Sequence, residues 1–373
     1  MNRETEKEKI YRHCEASSEA AAIQSQHQSP SGLPCSLPRA QRPPRCAPCN
    51  DNKFKIKIGN LEINSRVSLA PMAGITDTIL RMLIRDYSED CLLTTEMLSS
   101  EALCQRLDVV ILEAKKEEQP LAYQISGHKP DVMLKAAKIL EPRADIIDIN
   151  MGCPVNKVVK GNDGAALMKT PELAYELVKT LKDNISKPIT VKFRLGYDNN
   201  NKNYIEFGQL MQKAGADAIT LHGRTRAQMY HGKADWEAIG KFKQNIDIPV
   251  FANGDIIDVK AAIECREITN ADGFAIARGA LGNPFLIKQT DHYFKTGELL
   301  PDLTLSDKIE LIKKHLHGEM ALRGELYGIK FMRKFYAYYI RGIKNAAGYR
   351  GALVVEEDYD AIIKILDEIL KNG

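Results

Sequence analysis

No apolar run in this chain approaches the roughly 20 residues that a membrane-spanning helix needs, and the N-terminus lacks a signal peptide's apolar core. These absences exclude a helical membrane protein and make the cytoplasm the expected compartment. A strong charge of one sign is missing too. The 52 Lys and Arg against 49 Asp and Glu leave a net +3, too little to announce nucleic acid by itself. The eight cysteines lack the spacing of a disulfide framework and read as free thiols in a reducing compartment. Cys46–Ala47–Pro48–Cys49 is a CxxC, but no second CxxC or HxxxH completes a zinc site, so no metal is expected. No GxGxxG follows the first apolar segment, which counts against a doubly wound dinucleotide-binding sheet.

What is present divides the chain. Residues 1–50 are rich in Pro, Ser, Gln and Arg without apolar periodicity, the composition of a disordered or non-native extension. From Phe54 the texture changes. FKIKIGNLEI alternates around a Gly–Asn turn, a hairpin suited to cap the bottom of a barrel. Eight short apolar segments follow: Val67–Pro71, Leu92–Glu96, Leu121–Ile125, Ile146–Asn150, Ile189–Arg194, Ala218–His222, Pro249–Ala252 and Gly273–Ala277. Helix-like stretches such as Pro171–Asn184 and Tyr204–Ala214 separate most of them. Eight βα units predict an α/β fold, a (β/α)8 TIM barrel over 51–295, with a doubly wound open sheet as runner-up. A Gly- and Pro-containing linker then leads to residues 304–373, which contain helical pattern only and predict a small all-α domain.

Barrels carry their chemistry at the carboxyl ends of strands. The fourth segment ends in Asn150–Met151–Gly152–Cys153–Pro154, where Gly permits unusual backbone angles and Pro fixes the next φ. Such a turn holds the Cys153 thiol rigidly. A small buried cysteine is the bland alternative; the polar Asn150 and the basic stretch Lys157–Lys160 argue for a functional one. The first segment ends in Pro71–Met72–Ala73–Gly74, small enough for a flat ligand to lie on the backbone. Gln124 ends the third and can offer donor and acceptor to a heterocycle. In the fifth, strand alternation puts Lys192 and Arg194 on one face and Val191 and Phe193 on the other, sending two cations into the barrel mouth. His222 and Arg224 end the sixth. Gly-containing loops after the seventh and eighth, Asn253–Gly254–Asp255 and Ala277–Arg278–Gly279, sit where barrels commonly bind phosphate. Together these ends suggest a phosphorylated planar cofactor.

The motifs LAPMAGITD, YQISG, NMGCPVNKVVKGNDGAALM, VKFRLG, HGRTR, ANGDI and IARGALGNP occur in an order that resembles the tRNA-dihydrouridine synthases, specifically their bacterial DusB-like branch. The resemblance spans about residues 67–287, and FMRKFYAYYIRGIKNAAGYR looks like that family's helical domain. It implies FMN as cofactor, held through the backbone by Pro71, Met72 and Ala73. Gln124 and Lys192 would contact its ring, and His222, Asn253, Gly254, Asp255, Ala277 and Arg278 would surround its phosphate. Ala277 stands where many relatives have Gly, a departure that leaves a backbone N–H contact intact. The resemblance further implies NADPH as electron donor, hydride transfer from flavin N5 to C6 of a flipped-out uridine, and a proton for C5. Lys192 and Arg194 are candidates to balance the developing charge, Cys153 to give the proton, and Asn150 to orient the base.

The C-terminal region fits an RNA substrate. Between Lys308 and Arg350 lie ten Lys and Arg against three Asp and Glu, interleaved with Tyr327, Phe331, Phe335, Tyr336, Tyr338 and Tyr339. Arg333, Lys334, Arg341 and Lys344 there, with Arg224 and Arg226 on the barrel rim, are the candidate RNA contacts. Most of the aromatics recur at helical spacing and read as helical core. Two other readings compete: a flavin barrel reducing a small molecule, which the basic appendage disfavours, and an RNA-binding protein whose catalysis is secondary. No membrane and no obligatory protein partner are expected.

Overall fold

The computed structural model of the chain describes residues 54–105 and 114–372. The N-terminal extension, with its CxxC, lies outside them. Eight strands form a parallel barrel: β1 (Val67–Leu69), β2 (Leu93–Thr94), β3 (Leu121–Ser126), β4 (Ile146–Met151), β5 (Ile189–Arg194), β6 (Ala218–His222), β7 (Val250–Asn253) and β8 (Gly273–Ile276). Each pairs with its sequence neighbour, β8 pairs with β1, and a Ser68–Leu92 bridge joins β1 to the start of β2. The Leu69 N–H donates to the Leu92 carbonyl at 2.9 Å, which closes the ring. This is the expected barrel, and the open sheet is excluded by the β8–β1 pairing.

The hairpin, Ile56–Ile58 with Leu61–Ile63, plugs the bottom. Its Ile56, Ile58 and Ile63 pack against the inward residues Ala122, Ile146 and Phe251. Above this plug the inward positions turn polar: Thr94, Asp148, Thr190, Lys192 and Thr220 line a cavity of about 30 Å³. The outward residues of β5 behave oppositely. Phe193 lies edge-on to Phe207 at 5.0 Å and Phe242 at 5.8 Å, both on covering helices. Burying Val191 and Phe193 under those helices is what turns Lys192 and Arg194 inward.

The second segment departs from expectation. Strand β2 is only two residues long, and a further strand, Leu98–Ser99, pairs with the end of β3. Thr94 faces Ala122 and Leu98 faces Ile125, so the second segment spends one residue more than β3, a bulge. The bulge takes Glu96 out of the wall and lets its carboxylate accept the Gly74 N–H.

Beyond the last barrel helix, Phe285–Thr296, come α1 (Leu305–Arg323), α2 (Glu325–Tyr339), α3 (Ala346–Val355) and α4 (Tyr359–Asn372). Thr304 opens α1 with a capping box, its Oγ1 accepting the Asp307 N–H at 3.2 Å while Asp307 accepts the Thr304 N–H at 2.9 Å. These helices dock on the mouth side of the barrel. A Cβ on Gly318 of α1 would stand 2.6 Å from Ile79, on the helix after β1. One on Gly282, after β8, would stand 2.5 Å from the Tyr338 backbone of α2. The described residues accordingly form one compact unit.

Candidate active site

The Cys153 turn is held from three sides. Asn150 Oδ1 accepts the backbone N–H of Gly152 at 3.2 Å and of Cys153 at 2.9 Å. Arg194 Nε donates to the Gly152 carbonyl at 2.8 Å, and the Ala165 N–H donates to the Cys153 carbonyl at 3.1 Å. The thiol itself is half-buried. Asn150 therefore works as the turn's capping side chain. Arg194 is similarly committed: its Nη1 donates to the Thr225 carbonyl at 3.1 Å and the Met229 carbonyl at 2.8 Å. It braces the turn and the loop after β6.

Beneath the turn, Gln124 is buried, with Nε2 donating to Asp148 at 2.7 Å and Oε1 accepting from Asn150 at 2.8 Å. Asp148 also accepts the Thr190 hydroxyl at 2.6 Å. Burial raises the Asp148 carboxyl above its ordinary range, against the opposing effect of those hydrogen bonds and of Lys192. Lys192 donates to Asn253 Oδ1 at 3.0 Å. Burial, helped by Arg194, pulls its ammonium down to about 8, so at neutral pH it is charged but close to titrating. His222 is pushed well below its ordinary value by burial and then by Arg194, Lys192, Arg224 and Arg278, which keeps the imidazole neutral.

The loops after β7 and β8 form the opposite wall. Asn253 Nδ2 donates to the Ala275 carbonyl at 2.7 Å. Gly254 and Asp255 both adopt positive φ, +118° and +58°. Such backbone costs L-residues energy and turns successive N–H groups toward one side. Among the described residues, the N–H groups of Gly254, Asp255, Ala277 and Arg278 have no acceptor. Asp255 does not aim its carboxylate at a ligand. It accepts from Arg224 at 2.6 Å, Arg278 at 3.2 Å and the Ala234 N–H at 2.7 Å, so its side chain is a buttress. Arg278 and Arg194 both flank the Tyr230 ring, at 5.2 and 5.7 Å.

Two rim expectations change. Arg224 is 2% exposed and tied to Asp255, the His231 carbonyl and the Gly232 carbonyl, which removes it from the RNA candidates. Lys334 is half-buried and turned toward the barrel. Its ammonium donates to the Gly74 carbonyl in the first loop and lies 3.2 Å from the Phe331 ring centre. Burial pulls it down to about 8. Arg333 pairs with Glu357 at 3.0 Å on the surface, Arg226 bonds Asn156, and Arg341 and Lys344 are exposed. Phe335, Tyr336 and Tyr339 are core, as their spacing predicted.

Pro71 lines the barrel cavity and Ala73 is exposed, while Thr76 staples the loop by accepting the Met72 N–H at 3.1 Å. Sequence reasoning missed Asp148, Thr190, Glu96 and Tyr230. Asp148 and Thr190 share the inward register of Asn150 and Lys192, a signal that extending the strand alternation two residues back would have caught. Tyr230 lies in a loop with no periodicity to mark it.

A family model described as "Dihydrouridine synthase (Dus)" matches residues 68–371. A "Probable tRNA-dihydrouridine synthase 1" from Synechocystis sp. is 42% identical over 320 residues, covering 85% of this chain and 90% of that protein. The "tRNA-dihydrouridine synthase B" of Pseudomonas aeruginosa is 36% identical over 309 residues, 82% and 93% of the two chains. Among solved structures, histamine dehydrogenase from Rhizobium sp. 4-9 superposes with a TM-score of 0.52 at 13% identity, over 70% of this chain and 50% of that one, a likeness of fold. The relatives named synthase B match nearly end to end and agree with the DusB-like motifs. This chain belongs to the dihydrouridine synthase family.

Proposed function

We propose that the protein reduces specific uridines of the tRNA D-loop to 5,6-dihydrouridine, with FMN as cofactor and NADPH as electron donor. The observation that carries this reading is the convergence, in a chain of this family, of a rigidly held thiol with a buried cation and an anion-binding backbone around one barrel mouth. The residues suit FMN: free N–H groups with Arg278 at one wall for a phosphate, and Gln124 with Lys192 for the ring. Pro71–Ala73 would lie along its face. When bound and reduced, FMN supplies the hydride that goes to C6 of the uracil.

This chain's residues do the rest. Lys192 places a positive charge where negative charge develops on the uracil carbonyl, in a site where low dielectric strengthens it. Arg194, spent on three carbonyls, acts by holding the Cys153 turn. Cys153 gives the proton to C5 and is left as thiolate, to be reprotonated from solvent between turnovers. The neutral His222 and Asn253 order the phosphate-side wall. Arg341, Lys344, Arg226 and Arg333 carry the tRNA backbone.

The test is Cys153→Ala. The variant should bind tRNA and FMN and accept electrons from NADPH, while dihydrouridine, read by mass spectrometry of digested tRNA, falls by at least 100-fold. Normal product would remove Cys153 as the acid.

A further inference from the structure

The barrel contains a buried carboxylate with no part in the proposed reaction. Asp148 sits at the floor of the site, 6% exposed, opposite Gln124 on one neighbouring strand and Thr190 on the other. A charge there is costly unless it does something for its neighbours. Lys192 does not claim it, since that ammonium turns to Asn253 at 3.0 Å.

The direction of the hydrogen bonds shows what Asp148 does. Backbone N–H groups can only donate, so the Asn150 side-chain atom facing Gly152 and Cys153 must be the oxygen. Its NH2 is then turned to Gln124, whose facing atom must be the oxygen as well. That leaves the Gln124 NH2 toward Asp148, where only an acceptor is satisfied. Each amide could otherwise flip at little cost. The series ends in a group that cannot flip into a donor, and the hydroxyl of Thr190 donates to its other oxygen.

We propose that Asp148 is a positioning residue, the fixed acceptor that anchors a one-way relay through Gln124 and Asn150 and thereby sets the Cys153 turn. The effect on catalysis rests on the reading of Cys153 as proton donor; the effect on the thiol's setting does not. Without the acceptor, the Gln124 amide has a buried donor unpaired and is held in orientation only by its single bond from Asn150. A Gln124 that rotates to relieve that donor breaks this bond, and the cap on the Gly152 and Cys153 N–H groups loosens with it.

The experiment measures alkylation of Cys153 by iodoacetamide in the FMN-loaded full chain, resolved by peptide mass spectrometry. The exposed Cys104 serves as internal reference and the buried Cys91 and Cys265 as reporters of unfolding. Asp148→Leu should change the Cys153 rate at least 5-fold relative to Cys104, with Cys91 and Cys265 still protected. Asp148→Asn can keep its oxygen toward Gln124 and its NH2 toward Thr190, so it should restore the rate to within 2-fold. Should Asp148→Leu expose Cys91 and Cys265, Gln124→Met cuts the same relay one step nearer the thiol and must give the same 5-fold change. An unchanged Cys153 rate in the folded variant overturns the relay, as does an Asn variant as impaired as the Leu one. A shifted thiol with unimpaired dihydrouridine formation keeps the relay and removes Cys153 as the acid.

Discussion

Lys192 shows how one side chain's burial fixes a pH dependence. Its ammonium is held near 8, against an ordinary value of 10.5, chiefly by desolvation. Two consequences have opposite signs. For stability, the unfolded chain binds this proton up to about 10.5 and the folded one only to about 8, so folding gains as pH rises through that window. For activity, the charge that stabilises the uracil's developing anion disappears over the same range. Turnover of tRNA should therefore fall as pH rises through about 8. Lys192→Arg, which cannot deprotonate, should be slower at neutral pH yet lack that alkaline limb. A pH profile of single-turnover dihydrouridine formation checks this; the same limb in both proteins would assign it elsewhere. The sequence disclosed the Lys because strand alternation points it inward. It could not disclose the shift, which comes from burial in the closed barrel and then from Arg194.

At the scale of elements, the eight strands and their polar ends were legible because period-2 patterning and Gly-marked turns are local signals. The bulge after β2 was not. Glu96 looked like the end of a strand, and only the pairing of Leu98 with Ile125 reveals the extra residue. The same limit governed the basic helix α2. Charge density singled out Arg333, Lys334, Arg341 and Lys344 as one group, but the fold divides them: the first two lie on α2, the last two in the turn that follows it. Lys334 faces the barrel and holds the Gly74 carbonyl, so Lys334→Met should lower both the melting temperature and the affinity for FMN, measured by flavin fluorescence titration. Arg341→Gln with Lys344→Gln should do neither. It should weaken tRNA binding and flatten its salt dependence, the log–log slope falling by about 0.7–0.9 for each phosphate left without its cation. An unaltered slope would leave these two as solvated charges and pass the grip to Arg226 and the barrel rim.

Across the whole molecule, the helical region is joined to the barrel by a buried ionic seam. Asp77 caps the helix after β1, and α1 presents Glu319 and Arg323 to it, with Arg323 bonding both Asp77 and Glu319. His315 lies 3.4 Å from Glu319 and bonds the Tyr339 hydroxyl at 2.8 Å, while Lys334 and Glu96 face the cluster from α2 and the second loop. Glu319 is fully buried, and burial beside Asp77 pushes its carboxyl well above the carboxylate range, while Asp77 is lowered. The two carboxyls share one proton at neutral pH, in the manner of any close pair that cannot ionise together. The folded state thus holds a proton at Glu319 that the unfolded chain releases near 4.5. That contribution to stability is complete below about 4.5 and is lost as pH rises into the alkaline range. Glu319→Gln keeps a neutral donor for Asp77 and an oxygen for Arg323, but cannot titrate. Its melting temperature should match the parent's near pH 5 and exceed it by several degrees at pH 9. Lys192 titrates alike in both proteins, and Lys334, which feels the Glu319 charge, is replaced by Met in both, so the difference between the two melting curves isolates Glu319. Parallel curves across that range would mean that Arg323 alone neutralises the seam and that no proton is shared there.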